Sequence, residues 1–442
     1  MTPSVMYNFD ASSLTLKILS DIATSQLPSG LVPDIAPEYV VFSGGFRDSP
    51  EWGSALLQLP GSLLDFFGPD VAGEGIKQHY GAMVDYVHYL MSQRDGRGLL
   101  AYGLGDWCDA NSKHGCDPPG QLTPLGVTGT CMLFSNCALL SRFASTILHN
   151  ASEAEVWASA AHTVRADYLA SPLWPPAAGS QTSPAMPLAM GLLNSSALQQ
   201  AALDALISDI KSRDYHQTGG DIGHRFILNA LGQSAAGNDV VARITNSTDF
   251  PSYGAMLVSG VTSLPEQWDG SGSQLHSMLG HVDEWFYRYV LGFTPPYAVP
   301  SPSSPVLLLA PQPVSGLDWA RGHWRDVHIH WQWLVDTPSL HVLRIHVSVP
   351  IAASFPVRVR APLRAASRPR ALFEGACDPT AISSNNINSP STASSSMIIG
   401  CIGGCNVMTS DCDGLRLMAN GDVAVDSGEW MLSVVYAADD AL

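Results

Sequence analysis

The sequence predicts a mainly α protein with a β appendage: helical hairpins, closed into a toroid or stacked as a solenoid, followed by a C-terminal β-sandwich. Three observations carry this. Apolar residues recur at spacings of three and four as far as about residue 293. A run with five prolines, TPPYAVPSPSSP at 294–305, cannot continue a helix. Beyond it the apolar period becomes two. At 442 residues the chain is also too long for one ordinary core. The expected units are 1–293, a linker at 294–305, and 306–442.

The clearest helix is Ile76, Tyr80, Met83, Val84, Val87, Leu90, Met91. Similar patterns run over Leu14–Ile22, Leu56–Phe67, Val127–Ile147, Val156–Leu169, Leu198–Ile210, Phe226–Ile244 and Val282–Leu291. Gly, Pro or Asp/Asn/Ser loops separate them. Helices with no intervening strands call for helix-on-helix layers. The lack of a fixed-length repeat weighs against a solenoid. In the second unit, Val327, Ile329, Trp331, Trp333 and Val335 alternate, as do Leu343 to Val349 and Phe355 to Val359, giving half-buried strands. Residues 379–400 are Ser/Asn-rich with little to bury, and read as a disordered insertion.

Charged residues make up 14% of the chain and the net charge is −17, so it lacks the basic footprint that nucleic acid or an anionic membrane surface requires. No apolar run is long enough to span a membrane, and the chain reads as soluble. A neutral ligand such as a sugar fits this balance better. The eight cysteines form two clusters of four, Cys108, Cys116, Cys131, Cys137 and Cys377, Cys401, Cys405, Cys412, an even count in each that suits disulfides. Three Asn-x-Ser/Thr triplets, at Asn150, Asn194 and Asn246, also point to a secretory compartment. The N-terminus, by contrast, has neither the basic nor the apolar region of a signal peptide.

Sugar sites combine aromatic rings, which cover the apolar faces of a pyranose, with carboxylates or amides that grip its hydroxyls. Acidic residues and tryptophan are paired here four times: Glu51–Trp52, Asp106–Trp107, Glu266 with Trp268 and Asp269, and Asp283–Glu284–Trp285. The first three lie in Gly- or Pro-rich loops, where functional residues concentrate, and the last in a helix. One such pair alone is more often packing or a helix end; four together favour a sugar pocket. No nucleophile elbow or phosphate-cradling loop occurs.

The runs TGGDIGHRFILNALGQ, ITNSTDFPSYGAML and GVTSLPEQWDGSGSQLHSMLGHVDEWFYRYVLGF resemble, in order, the core of glycoside hydrolase family 78, the α-L-rhamnosidases. YNFDASSLTLKILSDIATSQ, GLVPDIAPEY, PEWGSALLQLP and GLGDWCD agree with it, and GLDWARGHW with the strands after it resembles the family's trailing β-sandwich. The resemblance implies an (α/α)6 six-hairpin toroid with the site where its loops converge. It also implies an inverting mechanism, in which one carboxyl protonates the leaving oxygen and another activates water across roughly 6.5–9.5 Å.

On that resemblance Glu266 matches the general base and His276 the sugar-binding histidine, although the family's preceding Asn is Leu275 here. Trp52 and Trp107 match the pocket walls, and Asp106 and Trp268 stand as further sugar contacts. A rhamnose-containing carbohydrate is the implied partner, with no cofactor and no metal. The family's general acid lies in a segment ending Gly-Trp-x-Gly-Asp just upstream of the stretch matched by YNFDASS. Met1 to Met6 occupy that space and no later run resembles it, so little or no activity is expected of this exact chain, general acid catalysis being worth about 10²–10⁴-fold. The alternatives are a non-catalytic carbohydrate-binding protein and a six-hairpin glycosidase for another sugar.

Other residues have simpler readings. Asp221 suits a helix N-cap, while His224 is open between structure and pocket. Glu284 is one turn from Arg288, the spacing of a helix ion pair. His328 and His330 share a strand face that suits zinc, but without a third ligand they read as exposed histidines. Cys401, Cys405 and Cys412 miss the usual zinc spacing.

Overall fold

A computed structural model of the chain describes residues 2–109, 120–276, 278–298, 305–336, 340–351, 355–360, 362, 370–374, 415–417, 422–425 and 427–437. It divides into two compact units, Met1–Trp285 and Phe286–Leu442. The expected insertion at 379–400, the C-terminal cysteines and Cys116 lie outside the described residues.

The first unit is helical: α1 Thr2–Asn8, α2 Ser12–Thr24, α3 Pro50–Gly53, α4 Ala55–Phe67, α5 Pro69–Ser92, α6 Leu125–Thr146, α7 Ala151–Ala170, α8 Thr182–Ala189, α9 Ser196–Ser212, α10 Gly223–Gly232, α11 Ala235–Asn246, α12 Tyr253–Val258 and α13 Val282–Trp285. Successive helices pack as hairpins, α4 on α5, α6 on α7, α8 on α9 and α10 on α11, with α6 also touching α5 and α8. The periodic residues face inward as expected: Ile76, Met83, Val87 and Leu90 of α5 are buried, as are Val127, Leu133, Leu140 and Phe143 of α6.

Two helices depart from the expected pattern. The apolar run Phe226–Ile244 is broken at Ser234, whose extended backbone (φ −138°) ends one helix and whose hydroxyl accepts the Gly237 amide at 3.0 Å to cap the next. The run from Val282 passes from α-helix into a π-turn at Phe286–Val290. Helix α8, TSPAMPLA, has no polar face to set a period and holds two prolines, and is buried from Thr182 to Leu188. Cys131 and Cys137 are free and buried on α6, so the first cysteine cluster does not form two disulfides; Cys108 is disulfide-bonded.

The second unit holds two five-stranded sheets. One has the order β1-β2-β6-β9-β8 and the other β3-β4-β5-β10-β7. Their strands are β1 Phe293–Thr294, β2 Leu307–Leu309, β3 Trp319–Trp324, β4 Val327–Asp336, β5 Leu340–Val349, β6 Val357–Val359, β7 Arg370–Glu374, β8 Leu415–Leu417, β9 Val423–Val425 and β10 Gly428–Ala437. Strand β1, at the start of the proline-rich run, already pairs with β2. Ile329, Trp331, Leu343, Ile345 and Val347 are buried as their alternation predicts, and the register shifts between Trp333 and Val335, where Leu334 is exposed. Trp331 is fully buried and its indole donates to Val290 O at 2.8 Å.

Candidate active site

The site is built where three loops of the helical unit are tied together. The first, Gly103–Asp109, carries Trp107. Its start is fixed to the N-terminus of α3: the Leu104 amide donates to Ser49 Oγ at 2.7 Å, and that hydroxyl donates to Gly45 O. Its end is closed by Asp109, which accepts the Leu122 and Thr123 amides at 2.9 and 2.6 Å. The Trp107 ring is partly exposed and meets Phe46 edge-on, with centroids 5.2 Å apart. Trp52, on α3, is likewise partly exposed.

The second loop is Gly219–Gly223. A Cβ on Gly220 would overlap the Trp107 carbonyl, and one on Gly223 would overlap the Thr182 hydroxyl and the Asp106 carboxylate. Only glycine permits this approach. It brings the Asp221 amide to Trp107 O at 2.8 Å, and it lets Asp106 accept the Ile222 and Gly223 amides at 3.2 and 2.6 Å where α10 begins. Thr182 donates to the other Asp106 oxygen at 2.6 Å. Asp106 is fully buried, so both its oxygens serve the chain, satisfying the orphan donors of a helix start. Asp221 is therefore not the cap of α10: the N-cap position is Ile222, and the carboxylate that satisfies the amides comes from Asp106.

The third loop is a hairpin from Leu264 to His276. Glu266 N donates to Ser273 O at 2.8 Å and Ser273 N donates back to Glu266 Oε2 at 2.9 Å, so one carboxylate oxygen is held by its own hairpin. Gly272, at φ +78°, makes the turn that permits this. The His276 amide donates to Leu264 O at 2.9 Å, and its Nε2 stands 3.8 Å from Asp221 Oδ2. The His276 Nδ1 and Asp221 Oδ1 atoms are buried with no hydrogen-bond partner.

Burial sets the proton state of this cluster. Desolvation, with the charges of Asp106 and Glu266 beside it, pushes Asp221 up to about 8. Asp106 is raised to about 6, burial outweighing its hydrogen bonds. Behind Trp52, burial raises Glu51 to about 7 against the pull of the Thr128 hydroxyl, with Asp34 and Asp106 adding to the rise. Asp34, itself buried, is also raised to about 7. His224 is fully buried between Gln217 Oε1 (2.9 Å) and Tyr253 Oη (2.8 Å), and burial lowers it to about 3. It is a structural histidine, neutral at physiological pH.

Residues 1–290 match the bacterial alpha-L-rhamnosidase six-hairpin glycosidase domain. The chain belongs to this α-L-rhamnosidase family. It is 24% identical over 339 residues to an alpha-L-rhamnosidase of Streptomyces avermitilis, covering 74% of this chain and 31% of that protein. A second, from Formosa agariphila, is 22% identical over 299 residues, covering 64% and 31%. The chain thus spans about a third of the length of the curated relatives it matches. Among solved structures, the alpha-L-rhamnosidase of Dictyoglumus thermophilum superposes with a TM-score of 0.72 at 22% identity, covering 98% of this chain and 44% of that one. The S. avermitilis enzyme, solved with L-rhamnose, gives 0.70 at 20% identity, covering 98% and 37%. These likenesses bear out the six-hairpin fold with its trailing β-domain.

Within this rhamnosidase framework the structure gathers Glu266, His276, Asp221 and Trp107, and Ser49, at the start of the helix that carries Trp52, accepts the Leu104 amide of the Trp107 loop. It sorts the other expected contacts differently. Trp268 is 9% exposed and packs edge-on against Tyr253 (5.0 Å) and His224 (5.9 Å), in a cluster with Met256, Met278 and Leu279. That is a packing position, filling the space between α10 and α12. Glu284 accepts from Arg225 Nε of α10 at 3.1 Å, a partner far away in sequence. Sequence reasoning did not single out Phe46 or Asp34. Phe46 is half exposed in a short 3₁₀ turn, and only the Trp107 contact marks it as part of the site.

Proposed function

We propose that the helical unit binds a terminal α-L-rhamnose and activates the water of an inverting hydrolysis, with Glu266 as general base. The observation that carries this is the position of Glu266, on a hairpin that fixes one of its oxygens and leaves the other for water, close to the buried Asp221 carboxyl that itself stands 3.8 Å from His276. Inversion needs such a carboxylate on the face opposite the leaving group. Trp107 and Trp52 form the apolar walls, and His276 and the protonated Asp221 supply hydrogen bonds to sugar hydroxyls. Asp106 positions Trp107 and Asp221 from behind without meeting the sugar.

Turnover requires a proton donor as well as a base, so binding and hydrolysis are measured separately. L-Rhamnose titrated into the protein is expected to change tryptophan fluorescence, and L-glucose is not. On p-nitrophenyl α-L-rhamnoside, Glu266→Gln is expected to remove whatever turnover the protein shows while leaving rhamnose binding and melting temperature nearly unchanged. Undiminished turnover in that variant, or a protein that distinguishes no sugar, refutes the assignment.

A further inference from the structure

The sheet β3-β4-β5-β10-β7 of the second unit turns one face to solvent, and its register sets six polar and aromatic side chains on a grid. Trp319 of β3 lies opposite Gln332 of β4, which lies opposite Arg344 of β5. One step along, Arg321 lies opposite His330, and His330 opposite His346. All six point to the same side, because each is separated from the next on its strand by one inward residue: Ile329, Trp331 and Ile345 are buried while these six are not. With strands about 4.8 Å apart and a further two-residue step of about 6.7 Å along them, the two arginines stand roughly 12 Å from each other across the ladder.

Two adjoining hollows open on this face. One, of about 430 Å³, is lined by Arg321, His330 and His346 among others; the second, of about 200 Å³, by Gln332, Arg344 and the same two histidines. The Trp319 side chain is half exposed, with the Arg321 guanidinium 5.8 Å from its ring centroid and the His330 ring edge-on at 6.1 Å. Among the described residues neither arginine has an ion-pair partner, and Arg344 Nε is buried with no acceptor. In a chain of net charge −17 with only 22 lysines and arginines, an uncompensated guanidinium group on each of two adjoining hollows is a local reversal of sign.

We propose that this face is a second carbohydrate site, for a carboxylate-bearing saccharide chain. Trp319 stacks on a sugar ring, Arg321 and Arg344 pair with uronate carboxylates, and Gln332 and the histidines bond hydroxyls. Guanidinium groups suit this role because their forked donors match a carboxylate in two bonds at once. An aromatic face with amide and imidazole groups around it is the chemistry of sugar recognition. A protein partner fits less well: stable protein interfaces have an apolar centre, and here Met431 and Ile329 are the aliphatic side chains among those lining the two hollows. A neutral glycan would leave the arginines unpaired. The proposal does not rest on the rhamnose assignment.

The test is calorimetric titration of the intact chain with tri-galacturonate, its methyl ester and poly-L-glutamate, at low and moderate salt. Tri-galacturonate is expected to bind, more weakly as salt rises. The ester is expected to lose at least tenfold in affinity, and poly-L-glutamate to bind no better than the ester. The double variant Arg321→Ala/Arg344→Ala should bind tri-galacturonate at least tenfold more weakly, and Trp319→Ala likewise. Arg321→Lys/Arg344→Lys, which keeps the charge but not the fork, should fall between. The melting temperature of the intact chain serves as the folding control in every variant. The proposal is overturned if tri-galacturonate does not bind, if it binds the double alanine variant equally well, if the ester matches it, or if poly-L-glutamate does.

Discussion

At the scale of single residues, Asp106 and Asp221 are two carboxyls of one neighbourhood with opposite roles. Asp106 is enclosed by two backbone amides and a hydroxyl. Asp106→Ala would leave these donors buried and unpaired, each costing about 1–3 kcal/mol, and should lower stability by several kcal/mol; Asp106→Asn, which keeps an acceptor, should lose less. Thermal melting of the two variants checks the order. Asp221 has the reverse environment, a buried oxygen with no donor and two carboxylates nearby. Raised to about 8, it holds a proton at neutral pH and donates from it. Rhamnose affinity should therefore fall as pH rises through about 8 in the native protein and stay level in Asp221→Asn, which carries no proton to lose. The same pH dependence in both proteins would remove Asp221 from the binding site. Sequence showed that acidic residues sit beside tryptophans, but not which side of the loop each faces. For Asp106 and Trp268 that side is inward, decided by partners at Gly223 and Tyr253 that lie far away or across a turn.

At the scale of elements, the periodic helices were legible because each buries one stripe, and the strands because each buries alternate residues. What the sequence hid were elements without a period. Helix α8 is buried from Thr182 to Leu188 with no exposed face to set a period, and α3 and α12 have only four and six residues. The glycines of GGDIG were visible as a loop, but their purpose needs the partner loop: Gly220 exists for the Trp107 carbonyl. Gly220→Ala should push the Trp107 loop away, since backbone carbonyl cannot yield as a side-chain end does. The expected result is loss of the rhamnose-induced fluorescence change together with a drop in melting temperature. Gly81→Ala, on the open face of α5 with nothing near its Cβ, should melt at or above the native temperature. Equal behaviour of the two variants would refute the close-approach argument.

At the scale of the whole molecule, the buried carboxyls act together. Asp221 is raised to about 8, Glu51 and Asp34 to about 7, and Asp106 to about 6, all chiefly by burial. A carboxyl whose pKa is higher in the folded than in the unfolded chain binds more protons when folded, so folding gains as pH falls through the folded value. From pH 8 to 6.5 Asp221 alone contributes on the order of 1.5 kcal/mol in this direction. The opposing groups are His224 and His281, held below their ordinary value by burial. They bind a proton only when the chain unfolds, and they begin to destabilise as pH falls below 6.5. Glu38 and Asp95, lowered by Arg47 and by the Leu99 amide respectively, weaken the fold only in more acid solution still. Stability should therefore rise as pH falls from 8 toward 6, because at alkaline pH these carboxyls must ionise in the interior, and below 6.5 the two imidazoles offset part of that gain. Melting followed at pH 8, 6.5, 5.5 and 4.5 tests this, with Asp221→Asn expected to flatten the alkaline limb. A melting temperature that rises steadily from pH 6.5 to 8 would mean that the carboxyls around the candidate site are not buried in their neutral form.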